Sequence, residues 1–206
     1  MLDAARLYAI TPDAEPCALV SLVGAVLRGG ADVVQLRHKS LARGALLDLA
    51  RQLAGMVHDA GRLLIVNDHL DIALLAGADG VHLGADDLPL EAARRVAGAD
   101  FLIGASANTV DLAREAVAAG ADYLGAGPAF ATAMKPDKEV IGPAGVAAVA
   151  AAVAVPVFAI GGVDATNVEL LLKAGIHRAC VIRGLAEAPN PEAAARSLRA
   201  ALWSGR

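Results

Sequence analysis

The chain has 206 residues, a net charge of −4, 56% hydrophobic residues and 19% charged residues. This composition excludes a disordered chain, and the length suffices for one domain with a substantial core. No Lys/Arg block occurs, which argues against nucleic-acid binding. The first ten residues do not form a signal peptide, and no apolar run is long enough to span a bilayer. We therefore expect a cytoplasmic protein without nucleic-acid or membrane partners.

A short phrase, Gly-Ala-Asp followed by apolar residues, recurs along the chain. It begins at Gly30, Gly77, Gly98 and Gly120, and a looser version begins at Gly175. Each copy follows a stretch of helical period and precedes a short β-type run, so the glycine is expected to end a helix. The spacing of the later copies fits one strand–helix unit.

Eight strands are predicted, and most are continuous apolar runs of the kind found in parallel sheets covered on both faces. They are Leu7–Thr11, Val33–Arg37, Leu63–Asn67, Gly80–Leu83, Leu102–Ser106, Tyr123–Ala126, Val157–Ile160 and Ala179–Ile182. Predicted helices include Asp111–Ala119, capped by Asn108 or Thr109, and Asn167–Ala174, capped by Thr166. Eight alternations predict an α/β fold, a single-domain (β/α)8 TIM barrel over residues 1–206.

Active sites of such barrels lie at the carboxyl ends of the strands. After the second strand, Gln35, Arg37 and Lys39 share one face because strands have period two, and they form a candidate anion cradle. Solvated loop charges are the alternative for Arg37 and Lys39. His82, on the fourth strand, either lines the barrel mouth or is a hydrogen-bonded core histidine, and Tyr123 is expected in the core.

Two carboxylates follow neighbouring strands. Asp68 comes after the third strand and Asp87 after the fourth, so the two are expected to converge. Paired carboxylates beside a basic cradle suggest Mg²⁺ bridging to a diphosphate. The alternative is that Asp86 or Asp87 caps the helix that follows Pro89. After the seventh strand, Gly161 and Gly162 predict a phosphate-binding turn.

Taken together, these segments resemble the thiamine phosphate synthase family from Leu7 to about Leu202. The matching motifs are LYAIT at the start, GADVVQLRHK from Gly30, Asn67-Asp68 with DIA from Asp71, ADGVHLG from Ala78, IGAS from Ile103, ADYLG from Ala121, Gly127-Pro128 with Phe130 and Thr132, and AIGG from Ala159. The resemblance implies a TIM barrel that joins a pyrimidine diphosphate to a thiazole phosphate with Mg²⁺, and a possible homodimer.

The resemblance also implies a role for individual residues. The pyrimidine diphosphate would be held by Gln35, Arg37, Lys39, Asn67, Ser106 and Lys135. The thiazole phosphate would be held by Thr132, Gly162, Ile182 and Arg183. Asp68 and Asp87 would bind Mg²⁺. Diphosphate loss leaves a pyrimidine methyl cation that the thiazole nitrogen captures, so catalysis would depend on charge neutralisation, with Arg37, Lys39, Ser106 and Lys135 as the catalytic residues.

Four positions depart from the family pattern. They are Ala85 for a usual Gln, Asn108 for a usual His, Met134 for a usual Thr and Arg183 for a small hydroxyl residue. Arg183 either grips the thiazole phosphate or fills its site. These changes leave two alternatives to an active synthase: a thiazole tautomerase of the TenI type, and a non-catalytic paralogue that binds a phosphorylated ligand.

Overall fold

The structure, a computed structural model, describes residues 1–132 and 139–204. Its strands are β1 (Leu7–Ile10), β2 (Val33–Leu36), β3 (Leu63–Asn67), β4 (Gly80–Leu83), β5 (Leu102–Ser106), β6 (Tyr123–Ala126), β7 (Val157–Ala159) and β8 (Ala179–Val181). They pair in parallel in chain order and β8 closes on β1. The predicted eight-stranded barrel is confirmed, although β1, β2, β7 and β8 each end one residue earlier than the apolar runs suggested.

Helices follow the strands and cover the outside of the barrel. They are α1 (Pro16–Arg28), α2 (Arg43–Asp59), α3 (Leu70–Ala76), α4 (Leu90–Ala97), α5 (Val110–Ala118), α6 (Gly142–Ala151), α7 (Val168–Lys173), α8 (Arg183–Ala186) and α9 (Pro191–Ser204). In the described part of the chain, no helix is both long enough and apolar enough to cross a bilayer.

One of the two predicted helix caps is confirmed. The side chain of Thr109 accepts a hydrogen bond from the backbone N–H of Leu112 and caps α5. The cap predicted at Thr166 is wrong, because its hydroxyl donates to the Asp164 carboxylate at 2.6 Å. Asn167 precedes α7 instead, and its side chain bridges the Gly162 carbonyl and the Asp164 N–H.

Two apolar clusters stabilise the fold. The larger one fills the space between the strands and the helices. The smaller one fills the inside of the barrel and includes Tyr8, Val33, Ile65, Tyr123 and Phe158. The inward positions alternate along each strand, so the residue two places beyond an interior residue reaches the carboxyl end of the barrel.

The Gly-Ala-Asp repeats form a recurring contact at the amino-terminal end of the barrel. In three copies the aspartate backbone N–H donates to the carbonyl of a residue on the preceding strand, and the N–H of that residue donates back to the aspartate carboxylate, with all six distances between 2.7 and 3.1 Å. We call these strand clamps; they join Asp32 to Leu7, Asp79 to Leu64 and Asp122 to Ile103.

A basic side chain pairs with each clamp carboxylate. Arg62 contacts Asp32 at 3.1 Å, His58 contacts Asp79 at 3.0 Å, and Arg94 contacts Asp122 at 2.6 Å. The repeat that begins at Gly98 differs because Phe101 separates Asp100 from its strand, and Asp100 is exposed. The repeat therefore ties β1 to β2, β3 to β4 and β5 to β6, and its aspartates have a structural role.

Candidate active site at the carboxyl end of the barrel

Four polar side chains occupy the inward positions nearest the carboxyl end of the barrel. Gln35 follows Val33, Asn67 follows Ile65, His82 follows Gly80, and Ser106 follows Gly104, each two residues further along its strand. Gln35 is buried, whereas Ser106 is exposed at the mouth. On β2, β3, β4 and β5 the inward positions thus end in polar side chains, whereas on β1, β7 and β8 they continue with Ile10, Ile160 and Ile182.

Five side chains form a chain of hydrogen bonds that crosses the barrel interior and ends at the mouth. Gln35 Nε2 donates to the Tyr8 hydroxyl at 2.8 Å, and the Tyr8 and Tyr123 hydroxyls are 2.8 Å apart. The Tyr123 hydroxyl lies 3.3 Å from His82 Nδ1, and His82 Nε2 lies 3.0 Å from Ser106 Oγ. We call Gln35, Tyr8, Tyr123, His82 and Ser106 the interior relay.

The basic segment after β2 is held by an aspartate that the sequence analysis missed. Asp13 accepts a hydrogen bond from Arg37 Nη1 at 2.9 Å and from the Lys39 backbone N–H at 2.6 Å. Partial burial is the largest single influence on the pKa of Asp13 and raises it, but the two hydrogen bonds and the charge of Arg37 together outweigh burial, so the pKa is lowered. Asp13 lies three residues beyond the end of β1. This position after a strand end is the feature of the sequence that could have identified Asp13 as a site residue.

Asp68 and Asp87 converge as predicted. Asp68 has a left-handed backbone with φ of 63°, and its N–H donates to the His82 carbonyl at 2.9 Å. Burial, followed by the hydrogen bond and the negative charge of Asp87, raises the pKa of Asp68, while His69 and Lys39 oppose that rise. Burial and the neighbouring carboxylate therefore both favour the protonated form of Asp68 over the charged form.

The alternative role for the acidic pair after β4, helix capping, is not observed. α4 begins after Pro89 without a side-chain cap. Asp87 instead accepts a hydrogen bond from the Gly84 N–H at 2.7 Å, which closes the turn after β4. This contact holds one Asp87 oxygen within the turn. The Asp87 carboxylate also contacts Asp68 and is one cause of the raised pKa of Asp68.

The carboxylate pair fits Mg²⁺ better than a metal that needs a protein cage. Among residues 1–132 and 139–204, no group of three or more His, Cys, Asp or Glu side chains could hold a metal. Mg²⁺ needs only one or two carboxylates, because water and substrate phosphates complete its shell. The charge of Asp87 is one of the causes that raise the pKa of Asp68, after burial, and a cation bound to both carboxylates would reduce that repulsion.

The residues assigned by resemblance to the thiazole phosphate lie after β6, β7 and β8. The loops after β6 and β7 are joined by hydrogen bonds from the Ala129 and Phe130 N–H groups to the carbonyls of Ile160 and Gly161. Gly162 has φ of 65°, and a Cβ there would lie 2.5 Å from the Ala131 carbonyl oxygen, so a side chain is excluded. Thr132 ends this described loop; Met134 and Lys135 lie outside the described residues.

Arg183 does not fill a buried site. Its side chain is 48% exposed, and its Nε donates to Glu187 Oε1 at 2.7 Å, one turn further along the chain. Ile182 precedes it as the last residue before α8 and packs against the interior cluster. The fourth departure, Asn108, is half-buried before Thr109, whereas Ala85 is exposed in the turn after β4.

A cavity of about 260 Å³ lies at the other end of the barrel, between α6 and the start of β8. Its lining includes Pro156, His177 and Arg178, and none of the residues predicted for the site. Because barrel enzymes place their chemistry at the carboxyl ends of the strands, we assign the active site from the converging side chains and not from this cavity.

Comparison with known proteins identifies the family of the chain. The family model described as thiamine monophosphate synthase matches residues 7–185. The chain is 42% identical over 204 residues to a thiamine-phosphate synthase of Thermosynechococcus vestitus, covering 99% of this chain but 58% of that protein. It is 50% identical over 175 residues to one of Methanoculleus marisnigri, covering 83% and 82% of the two chains.

Comparison with solved structures identifies the same family. A thiamine phosphate pyrophosphorylase from Pyrococcus furiosus superposes with a TM-score of 0.88 at 35% identity, covering 96% of this chain and 95% of that one. A 3-hexulose-6-phosphate synthase superposes with a TM-score of 0.74 at 23% identity, which shows a shared fold alone. From its matched length and its relatives, the chain belongs to the thiamine monophosphate synthase family.

Proposed function

We propose that the chain is a thiamine phosphate synthase, which condenses 4-amino-2-methyl-5-pyrimidinylmethyl diphosphate with thiazole phosphate to give thiamin phosphate and diphosphate. The observation that carries the proposal is the convergence of Asp68 and Asp87 beside Lys39 at the barrel mouth. Arg37 lies two residues from Lys39, and both are positioned by Asp13. The two carboxylates would bind Mg²⁺, and the two basic side chains would bind the diphosphate that the metal contacts.

The reaction breaks the bond between the pyrimidine methylene carbon and the diphosphate oxygen, and the electron pair leaves with the diphosphate. The thiazole nitrogen then supplies the pair for the new carbon–nitrogen bond. Bound Mg²⁺, held by Asp68 and Asp87, would supply charge neutralisation for the leaving group. No protein nucleophile is required, which agrees with a site made of anion-binding and hydrogen-bonding groups.

The protein side chains bind and orient the two substrates. Arg37 and Lys39 stabilise the negative charge that develops on the departing diphosphate, and Ser106 donates a hydrogen bond to it. Gln35 and Asn67 contact the pyrimidine half. Lys135, which lies outside the described residues, is assigned to the diphosphate by the family resemblance alone, and the thiazole phosphate binds Thr132, Gly162, Ile182 and Arg183. The exposure of Arg183 supports a phosphate contact, reached by exchanging Glu187 for the phosphate.

The test is to incubate the purified protein with both substrates and Mg²⁺ and to measure thiamin phosphate and diphosphate. We expect equal amounts of the two products, none after chelation of divalent ions, and almost none from Asp87→Asn, which keeps an oxygen for the Gly84 N–H. The variant also controls for a contaminating host enzyme, which would give the same rate in both preparations.

Two outcomes would contradict the proposal. Isomerisation of thiazole phosphate without condensation would identify a thiazole tautomerase. A higher melting temperature with either ligand but no product would identify a binding paralogue.

Three attributes accompany the proposal as predictions: resident Mg²⁺, a homodimer and a cytoplasmic location. Calorimetric titration of the metal-free protein with Mg²⁺, and sedimentation of the purified chain, test the first two.

A further inference from the structure

The interior relay contains both tyrosines of the chain, and the mechanism above uses neither. Tyr8 and Tyr123 are fully buried, and burial is the first cause that raises the pKa of each phenol. Both hydroxyls therefore keep their protons throughout the neutral range. Each must accept and donate within the barrel, because a buried polar group without a partner is costly.

The direction of the relay follows from its first member. An amide nitrogen can only donate, so Gln35 Nε2 donates a hydrogen bond to the Tyr8 oxygen. Tyr8 must then donate its single proton to the Tyr123 oxygen, 2.8 Å away. With Tyr8 as its donor, Tyr123 directs its own proton to His82 Nδ1. The opposite direction would leave the Tyr8 proton without an acceptor among these contacts.

The same reasoning fixes the last two members. When His82 Nδ1 accepts, the proton of the neutral ring is on Nε2, which lies 3.0 Å from Ser106 Oγ. Nε2 then donates to Ser106, and the hydroxyl proton of Ser106 is left for an acceptor outside the relay. Ser106 is exposed at the barrel mouth, so that acceptor comes from the mouth.

Packing holds the relay in this geometry. The Tyr123 ring lies over β5, where a Cβ on Gly104 would be 2.1 Å from its Cζ atom, so only glycine leaves room for the ring. Phe158 meets both phenol rings edge-on, with centroids 5.4 Å from Tyr8 and 6.0 Å from Tyr123. The two hydroxyls therefore cannot turn to other partners without repacking the barrel.

We propose that Tyr8 and Tyr123 are positioning residues that set the His82 tautomer and make Ser106 an obligatory hydrogen-bond donor to the anionic leaving group. An unconstrained serine can turn its proton toward any neighbouring acceptor, whereas this serine accepts from His82 Nε2 and can donate its own proton only away from the relay. The donor direction of the Gln35 amide thereby sets the direction of every hydrogen bond up to Ser106 at the mouth, and no proton or charge moves along the relay. The role of Ser106 toward the leaving group rests on the proposed function; the tautomer does not.

The tautomer is tested first, in the substrate-free protein. Nitrogen NMR of isotope-labelled histidine, with His82 assigned by the signal lost in His82→Asn, should show a protonated Nε2 and an unprotonated Nδ1. Tyr123→Phe, which keeps the ring but removes the hydroxyl, should shift the Nδ1 signal and allow the second tautomer. A protonated Nδ1 in the parent, or identical His82 signals in the parent and Tyr123→Phe, would overturn the proposal.

The consequence for Ser106 is tested by a double-mutant cycle on the condensation rate. Tyr8→Phe and Tyr123→Phe should each lower kcat about 3- to 10-fold, the loss of one neutral hydrogen bond. In a Ser106→Ala background, neither should lower kcat further, because the group that they orient is gone. Phe158→Leu is the matched control: it disturbs the same rings without breaking the relay, so its effect should be equal in both backgrounds.

Failure of this inference is distinguishable from failure of the proposed function. Equal losses from Tyr123→Phe with and without Ser106 would reduce the tyrosines to packing residues while leaving the synthase in place. A parent without turnover would remove the synthase and with it the role assigned to Ser106, whereas the NMR measurement would still decide the direction of the relay.

Discussion

At the amino-terminal end of the barrel, the carboxylates of the strand clamps each accept a backbone N–H and pair with a basic side chain. At the carboxyl end, Asp68 and Asp87 lie against one another, and the pKa of Asp68 is raised. In the first arrangement each carboxylate has a basic side chain as its partner. In the second, each of the two carboxylates has the other as its neighbour. The same type of side chain thus stabilises the fold at one end and, under the proposed function, would bind Mg²⁺ at the other.

Asp68→Asn should separate these roles most clearly. Asparagine tolerates the left-handed backbone at position 68, so the turn is preserved while one carboxylate is lost. We expect the condensation rate to fall at least about 100-fold, since metal-assisted charge stabilisation contributes several kcal/mol. The melting temperature should not fall, because a repulsion is removed. An active variant, or one that unfolds several degrees earlier, would contradict the comparison.

Asp32→Ala should have the opposite signature. Asp32 is 8% exposed and accepts from the Arg6 and Leu7 N–H groups, both of which would lose their acceptor. We expect a loss of about 3 kcal/mol in the free energy of unfolding and a melting temperature about 6–12 °C lower. The kcat of the folded fraction should be unchanged.

Asp100→Ala is the matched control for that change. Asp100 is the exposed aspartate of the repeat that forms no clamp, so its loss should alter the free energy of unfolding by less than about 0.5 kcal/mol. Equal destabilisation by the two variants would show that a clamp aspartate contributes no more to the free energy of unfolding than an exposed aspartate does. Chemical denaturation of the parent and both variants measures the difference.

The smallest expected effect is a dependence on pH in the metal-free protein. Because the pKa of Asp68 is raised on folding, the folded state binds this proton more tightly than the unfolded chain. Ionised Asp68 therefore lowers stability above its folded pKa, and that penalty disappears as the pH falls toward the ordinary value of 3.8. With chelator present, Asp68→Asn should melt above the parent at about pH 7 and match it near about pH 4. A constant difference across this range would exclude Asp68 as its source.

Much of the fold could be predicted because a parallel barrel buries both faces of each strand, which produces recognisable apolar runs. Strand ends were overestimated where an apolar residue such as Ile160 or Ile182 continues toward the mouth. The clamp role of Asp32 could not be predicted, since it depends on the register with β1. The same limit applies at the site: Asp68 and Asp87 follow from strand order, whereas the contacts of Asp13 and Tyr123 depend on how separate strands face each other.

The distribution of aromatic residues has an optical consequence. The single tryptophan, Trp203, stacks against Arg6 and Arg199 near the Asp32 clamp, with centroid distances of 5.7 and 5.3 Å. Both tyrosines lie in the barrel interior below the mouth. Tryptophan fluorescence therefore reports on the amino-terminal end of the barrel, and tyrosine absorption reports on the barrel interior. The chain carries two intrinsic spectroscopic probes, and unfolding followed at both wavelengths resolves whether these two regions melt together.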